Sequence, residues 1–229
     1  MRLGDAVEPL FAWMSRQGAL APRDAVGWAV RLARTVGALH EQGKVHGAIS
    51  PWALLIENQD PRSRGELLTR PQLAPEYFSP ERAATGQLSA ADDVWGLALT
   101  LYAALTTYQP FEAEDPAEIH EKIASAAVPP LVAFGIVDEP LQKIIDIMLE
   151  RELLDRVVAV EPFRRSLLNW ARSPQMDALG ALEISGPSLS APPPAPSRSV
   201  PPPAPSRSVP PPAPSRSVPP PLAPPRSAP

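Results

Sequence analysis

The chain has 229 residues, 33 Pro, no Cys and a formal net charge of −4. The lack of Cys excludes a disulfide framework, a thiolate metal site and a Cys nucleophile. Nineteen Pro lie from Pro187 onward, where four Arg stand without an acid. The preceding body therefore has 17 basic residues against 25 acidic ones, a formal −8, the wrong sign for a surface that grips nucleic-acid phosphates.

In chain order, Met1 to Leu10 carries Asp5 and Glu8 and lacks an apolar core, so it does not read as a signal peptide. From Ala6 to Ser15, Val7, Leu10, Phe11 and Met14 recur at helical steps and predict a short amphipathic helix. Pro22-Arg23-Asp24 predicts the start of the next helix, which runs to Gln42 with Trp28, Leu32, Thr35 and Leu39 on one face and Gly43 as its cap. Val45 and the apolar run Ala53 to Ile56 read as a small hairpin or loop, and the polar stretch Glu57 to Gln72 as a loop. Ala90 to Thr106 predicts a strongly apolar central helix, followed by helices at Pro116–Ala126, Glu139–Glu150 and Val160–Ala171. No sustained set of alternating strands is visible, so the expected body is mainly α. Its most apolar stretch, Val94 to Leu105, is too short to span a bilayer, and a soluble cytoplasmic protein is expected. Arg outnumbers Lys 18 to 3, a bias that points toward a bacterial source.

After Ser185 the sequence changes character. The nonapeptide Pro-Pro-Pro-Ala-Pro-Ser-Arg-Ser-Val occurs three times over residues 192–218, with a degraded fourth copy to Pro229. Such a segment offers no apolar face to stack and is expected to be disordered and extended. The expected division is a globular domain over 1–176 and a Pro-rich tail over 177–229. Pro193, Pro196 and Arg198, with their repeats, fit a PxxPxR ligand for aromatic-lined grooves; a low-complexity spacer is the competing reading.

Two stretches carry a family resemblance. Leu39-His40-Glu41-Gln42-Gly43-Lys44-Val45-His46-Gly47-Ala48-Ile49-Ser50-Pro51-Trp52-Ala53-Leu54-Leu55 resembles the helix leading into a protein kinase catalytic loop, and that loop. Ala74-Pro75-Glu76-Tyr77-Phe78-Ser79-Pro80-Glu81, followed by Asp92-Asp93-Val94-Trp95-Gly96, resembles the end of an activation segment and the buried helix behind it. Thr106 to Phe111 and Leu141 to Arg156 resemble further parts of the same fold. The chain is thus similar to the C-terminal lobe of a bacterial-type Ser/Thr protein kinase over roughly Leu10 to Trp170. The resemblance implies a helical lobe without the N-terminal lobe that precedes it in the family.

At the matched positions the chemistry has changed. Where the family has its proton-accepting Asp this chain has Ala48, where it has the phosphate-steadying Lys it has Ser50, and where it has a Mg²⁺-binding Asn it has Ala53. Gly47 stands for the Arg that ties the loop to the activation segment. A methyl group neither accepts a proton nor ligates a hard cation. No Asp-Phe-Gly appears between Ile56 and Ser79, and no Lys precedes Lys44. The resemblance therefore implies a pseudokinase, with no enzymatic activity, metal or cofactor.

The residues retained are those to which the family gives structural roles. His46 matches a loop His that packs inward, Asp93 a buried Asp that holds the loop backbone, and Glu81 an acid paired with a buried Arg, here Arg156. His40 and His120 read as solvated, with no third residue at metal-ligand spacing. The expected role is a protein-interaction or regulatory module in signalling, its partner a protein such as an active kinase or its substrate, not nucleic acid or a membrane. Two alternatives stand beside it: unorthodox nucleotide chemistry around Glu57 and Asp60, and a degenerate kinase fragment.

Overall fold

The computed structural model describes residues 7–57, 60, 65–69 and 71–173. The chain divides into two units, Met1–Ser185 and Gly186–Pro229, and the second lies wholly outside the described residues. The tail, its repeats and the motif Pro193, Pro196 and Arg198 therefore fall outside them as well.

The first described element is a strand, β1 (Val7–Pro9), where helical spacing predicted a helix from Ala6. The residue before a proline is driven toward extended backbone, and Pro9 itself is extended at φ −61°, ψ 142°, so the helix starts only after it. Helix α1 (Leu10–Gln17) then buries Leu10 and Met14, one turn apart. The connection to the next helix is pinned by the Leu20 N–H, which donates to the Ala104 carbonyl at 2.8 Å.

Helix α2 (Pro22–Glu41) starts with Pro in its first turn, where the missing N–H has no intrahelical partner to lose. Its buried face is Ala25, Val26, Trp28, Ala29, Leu32, Ala33 and Val36. Thr35, expected on that face, is exposed and Leu39 only half-buried, because small residues let α2 lie close to its neighbours along the Ala29–Ala33–Val36 line. Gly43, at φ 69°, ends the helix by donating to His40, while Lys44 donates to Leu39.

Strands β2 (Leu54–Glu57) and β3 (Glu66–Leu67) follow, and the sheet order is β1-β2-β3, antiparallel throughout. Val7 pairs with Glu57 and Leu54 with Leu67. The small hairpin expected around Ala53–Ile56 is thus the middle of a three-stranded sheet whose first strand lies far upstream.

The remaining elements are helical: a 3₁₀ turn at Pro75–Tyr77, α3 (Pro80–Thr85), α4 (Ala90–Thr106), α5 (Pro116–Ser125), α6 (Glu139–Met148) and α7 (Val160–Ala171). Every residue of α4 from Asp92 to Thr106 is buried, as befits a helix apolar on all sides. It packs against α2 and α6, while α7 lies along α2. A Cβ at Gly96 would sit 2.8 Å from the Ile49 carbonyl oxygen, so this glycine lets the loop after α2 rest directly on α4. Trp28, Trp95 and Trp170 fill the core. No helix among the described residues is long and apolar enough to cross a membrane.

Candidate functional site

The first turn of α4 holds the segment from Val45 to Ala53 against the core. Asp93, fully buried, accepts the His46 N–H at 2.8 Å and the Gly47 N–H at 2.6 Å. Its Oδ2 also lies 2.7 Å from His40 Nε2. Three donors on one carboxylate satisfy a group that would otherwise be costly to bury. The His46 Nδ1 accepts the Ala48 N–H at 3.3 Å, which leaves Nε2 as the protonated nitrogen, 2.7 Å from the Leu68 carbonyl. One histidine therefore ties the loop to the chain entering from β3.

His40, expected in solvent, is turned inward to Asp93 with 17% of its side chain exposed. The polar surface of α2 hides this role, because only the packing of α2 on α4 brings the two residues together. His120 is exposed on α5. Among the described residues no group of His, Asp and Glu is placed to hold a metal ion.

A second anchor joins α3 to the loop before α7. Arg156 Nη2 donates to Glu81 Oε2 at 2.5 Å, and Nη1 donates to the Glu150 carbonyl at 3.0 Å. The Arg156 guanidinium lies 5.0 Å from the centre of the Trp95 ring, within cation–π range. The Arg156 side chain is fully buried and that of Glu81 is 33% exposed, so the pair is inside at one end only.

Arg82 forms a third tie that the sequence did not suggest. Its Nη1 donates to the Gly47 carbonyl, and its guanidinium lies 3.7 Å from the centre of the Phe78 ring. Burial lowers the pKa of this guanidinium, while Asp92 and Asp93 oppose the shift. Asp92 accepts the Ser79 hydroxyl, which ties the start of α3 to α4, and the Ser89 N–H at 2.5 Å, which caps α4 itself.

Between these anchors the loop carries mostly small side chains. Ala48 is half-buried; Ser50 and Ala53 are 1% and 0% exposed, and the Ser50 hydroxyl has no hydrogen-bond partner. Gly47 adopts φ 71°, and a Cβ there would meet Leu88 Cδ1 at 2.5 Å. Leu88 thus lies where any side chain at position 47 would begin. Glu57 and Asp60 both interact with other residues; Glu57 sits in β2 opposite Val7.

Trp52 is half-buried: it stacks on Phe11 at 4.5 Å and meets Tyr77 edge-on at 5.8 Å. Burial, followed by Glu76 and Glu112, pushes the Tyr77 phenol well above its ordinary value. Two larger hollows, of about 780 and 970 Å³, border α2, and neither is lined by a residue of the loop 46–53.

No protein-family model matches the chain. Among curated proteins it is similar to a calcium and calcium/calmodulin-dependent serine/threonine-protein kinase of Lilium longiflorum, 25% identical over 174 residues, covering 70% of this chain and 32% of that protein. It is also similar to the serine/threonine-protein kinase PkaB of Streptomyces coelicolor, 28% identical over 153 residues, 58% of this chain and 36% of that one. Ribosomal protein S6 kinase alpha-2 of Mus musculus is 30% identical over 139 residues, 54% of this chain and 18% of that one. The chain spans about a third of the length of the first two.

Proposed function

From its relationship to the Ser/Thr protein kinases, which places this mainly helical, C-lobe-like chain in the protein kinase-like superfamily, we propose that it is a non-catalytic protein-interaction module, a pseudokinase in role. The observation that carries this reading is the loop Gly47–Ala53. Its backbone is held by Asp93, His46 and Arg82, yet the positions matching the family's catalytic groups are Ala48, Ser50 and Ala53.

A kinase loop needs a carboxylate to receive the hydroxyl proton and oxygen ligands for the metal that neutralises the transferring phosphate. Neither alanine supplies these, and the Ser50 hydroxyl points into the protein interior. The φ of 71° at Gly47 further supports the reading, since a residue with a side chain, such as Arg, would be strained there. A fold that keeps its buried anchors while dispensing with its reactive groups is suited to presenting a surface.

The partner in this reading is a protein, an active kinase or a kinase substrate, and the Pro-rich tail serves as linker or recruitment segment. The purified full chain is expected to show no change in melting temperature on adding Mg·ATP. A saturable, magnesium-dependent rise would contradict it, because only a nucleotide site stabilises the fold by mass action. Affinity capture with the full chain and with residues 187–229 removed then separates partners of the helical body from partners of the tail.

A further inference from the structure

Strand β3 lies at one edge of the sheet. Leu67 stands opposite Leu54 and Glu66 opposite Leu55, while the Leu68 N–H donates to the Ala53 carbonyl at 2.8 Å. Backbone groups alternate in direction along an antiparallel strand. With Leu68 turned toward β2, the N–H and carbonyl of Leu67 face the other way, where no further strand pairs with β3 among the described residues. An open edge of this kind is a template for another extended chain.

The space beside the edge suits such a chain. β3 forms one wall of the hollow of about 780 Å³, and α2 forms the other. Its apolar lining includes Trp28, Leu32 and Leu54, with Leu39 and Leu67 half-buried. The α2 wall is low, because Thr35 and Ala38 are small and exposed there. An apolar trough next to free backbone groups offers what a docked strand uses, ladder hydrogen bonds for affinity and recesses for alternate side chains.

The rim selects charge. Arg31 and Arg34 line the hollow from α2, against Glu66 from β3. Arg31 interacts with other residues, whereas Arg34 is exposed and forms no ion pair among the described residues. In a body whose acids outnumber its bases, this rim is a local exception and favours an acidic occupant. The Pro-rich segment from Pro187 onward does not qualify: it carries four Arg and no acid, and its prolines lack the N–H groups of a ladder strand.

We propose that this groove docks an extended segment of another protein, which adds a strand to β3, seats alternate apolar side chains against Leu39 and Leu67, and presents an acidic residue to Arg34. The proposal rests on the reading of the chain as a protein-binding module and names the surface it uses and the chemistry of its partner.

The probe is the synthetic heptapeptide Glu-Val-Thr-Val-Thr-Val-Glu, fluorescently labelled, with a control in which Lys replaces both Glu. Polarisation against the folded full chain should show saturable binding of the Glu peptide and little of the Lys peptide. Two further peptides carry N-methyl groups on the Val amides or on the Thr amides. Because alternate amides face opposite ways, one of these should lose binding and the other keep it. Arg34→Glu should weaken binding of the Glu peptide about tenfold and turn the preference toward the Lys peptide. Ala38→Trp, which fills the groove from an exposed position, should weaken the Glu peptide by a similar factor, with the helical circular dichroism of both variants unchanged.

No binding to the folded chain, binding indifferent to Arg34→Glu and Ala38→Trp, or equal binding of both N-methylated peptides would overturn the groove assignment. A dimer in sedimentation that Ala38→Trp disperses would overturn it too, because the occupant would then be a second copy of this chain. Absent binding together with absent phosphate transfer sinks the groove alone, whereas phosphate transfer sinks the module reading whatever the peptides do.

Discussion

The frame around Asp93 and the loop it holds differ in how their polar groups are used. In the frame, buried charges are matched: Asp93 receives two backbone N–H groups and faces His40, and Arg156 meets Glu81 and the Glu150 carbonyl. In the loop, Ala48 and Ala53 have no polar side-chain atom to use, and the buried Ser50 hydroxyl has no partner. Frame and loop touch, so they share one folding history but not one constraint. Losing a frame residue leaves a charge or backbone N–H groups stranded inside the protein. Losing a reactive group costs the fold nothing. The comparison explains how a loop's shape can persist when its own side chains are small and apolar.

Substitutions test that contrast directly. The largest effect is expected for Asp93→Ala, which strands the N–H groups of His46 and Gly47; a loss on the order of 3–5 kcal/mol in urea unfolding follows from breaking a buried charged network. Glu81→Gln comes next, at about 2–3 kcal/mol, below the fully buried range because a third of the Glu81 side chain meets solvent. Thr107→Gly works in the opposite direction: relief of the left-handed strain at the end of α4 should stabilise the fold by about 1 kcal/mol. Ala48→Asp, in the loop, should leave stability within roughly 0.5 kcal/mol and confer no phosphate transfer. A loop substitution as damaging as Asp93→Ala would erase the distinction.

The smallest effect concerns pH. The Glu76 pKa is raised in the folded state by burial first, so the folded chain holds this proton more tightly than the unfolded chain does. Stability from this group is therefore fully present below the ordinary carboxylate pKa and is lost as pH rises through the raised folded value. Glu76→Gln should match the native chain in acid and exceed it slightly at neutral pH, as read by thermal unfolding.

Some of this architecture was legible in the residues. Helix α4 occupies the predicted span Ala90–Thr106, because the largely apolar stretch Val94 to Leu105, too long for a typical buried strand, admits few other readings. Helix α7 likewise fills Val160–Ala171. The pairing of β1 with β2 was not legible, since three residues ending in Pro9 carry no alternation of their own and their partner lies far along the chain. At the site, motif order singled out His46, Asp93, Glu81 and Arg156, and the structure brings His46 to Asp93 and Glu81 to Arg156. The inward turn of His40 and the tie made by Arg82 were not legible, for one physical reason. Each is an ordinary surface residue along its own segment and finds its partner only when α2 or α3 packs against the rest.

The central claim is that this kinase-like body performs no phosphoryl transfer. The most direct measurement is incorporation of radiolabelled γ-phosphate from Mg·ATP, by the folded full chain, into itself and into generic basic and acidic protein substrates. The account predicts incorporation no greater than that of heat-denatured chain, and no gain when Ala48→Asp, Ser50→Lys and Ala53→Asn are combined, because the segment between Ile56 and Ser79 still lacks the metal-binding Asp-Phe-Gly of the family. Incorporation by the native chain that grows with time and enzyme concentration would contradict it.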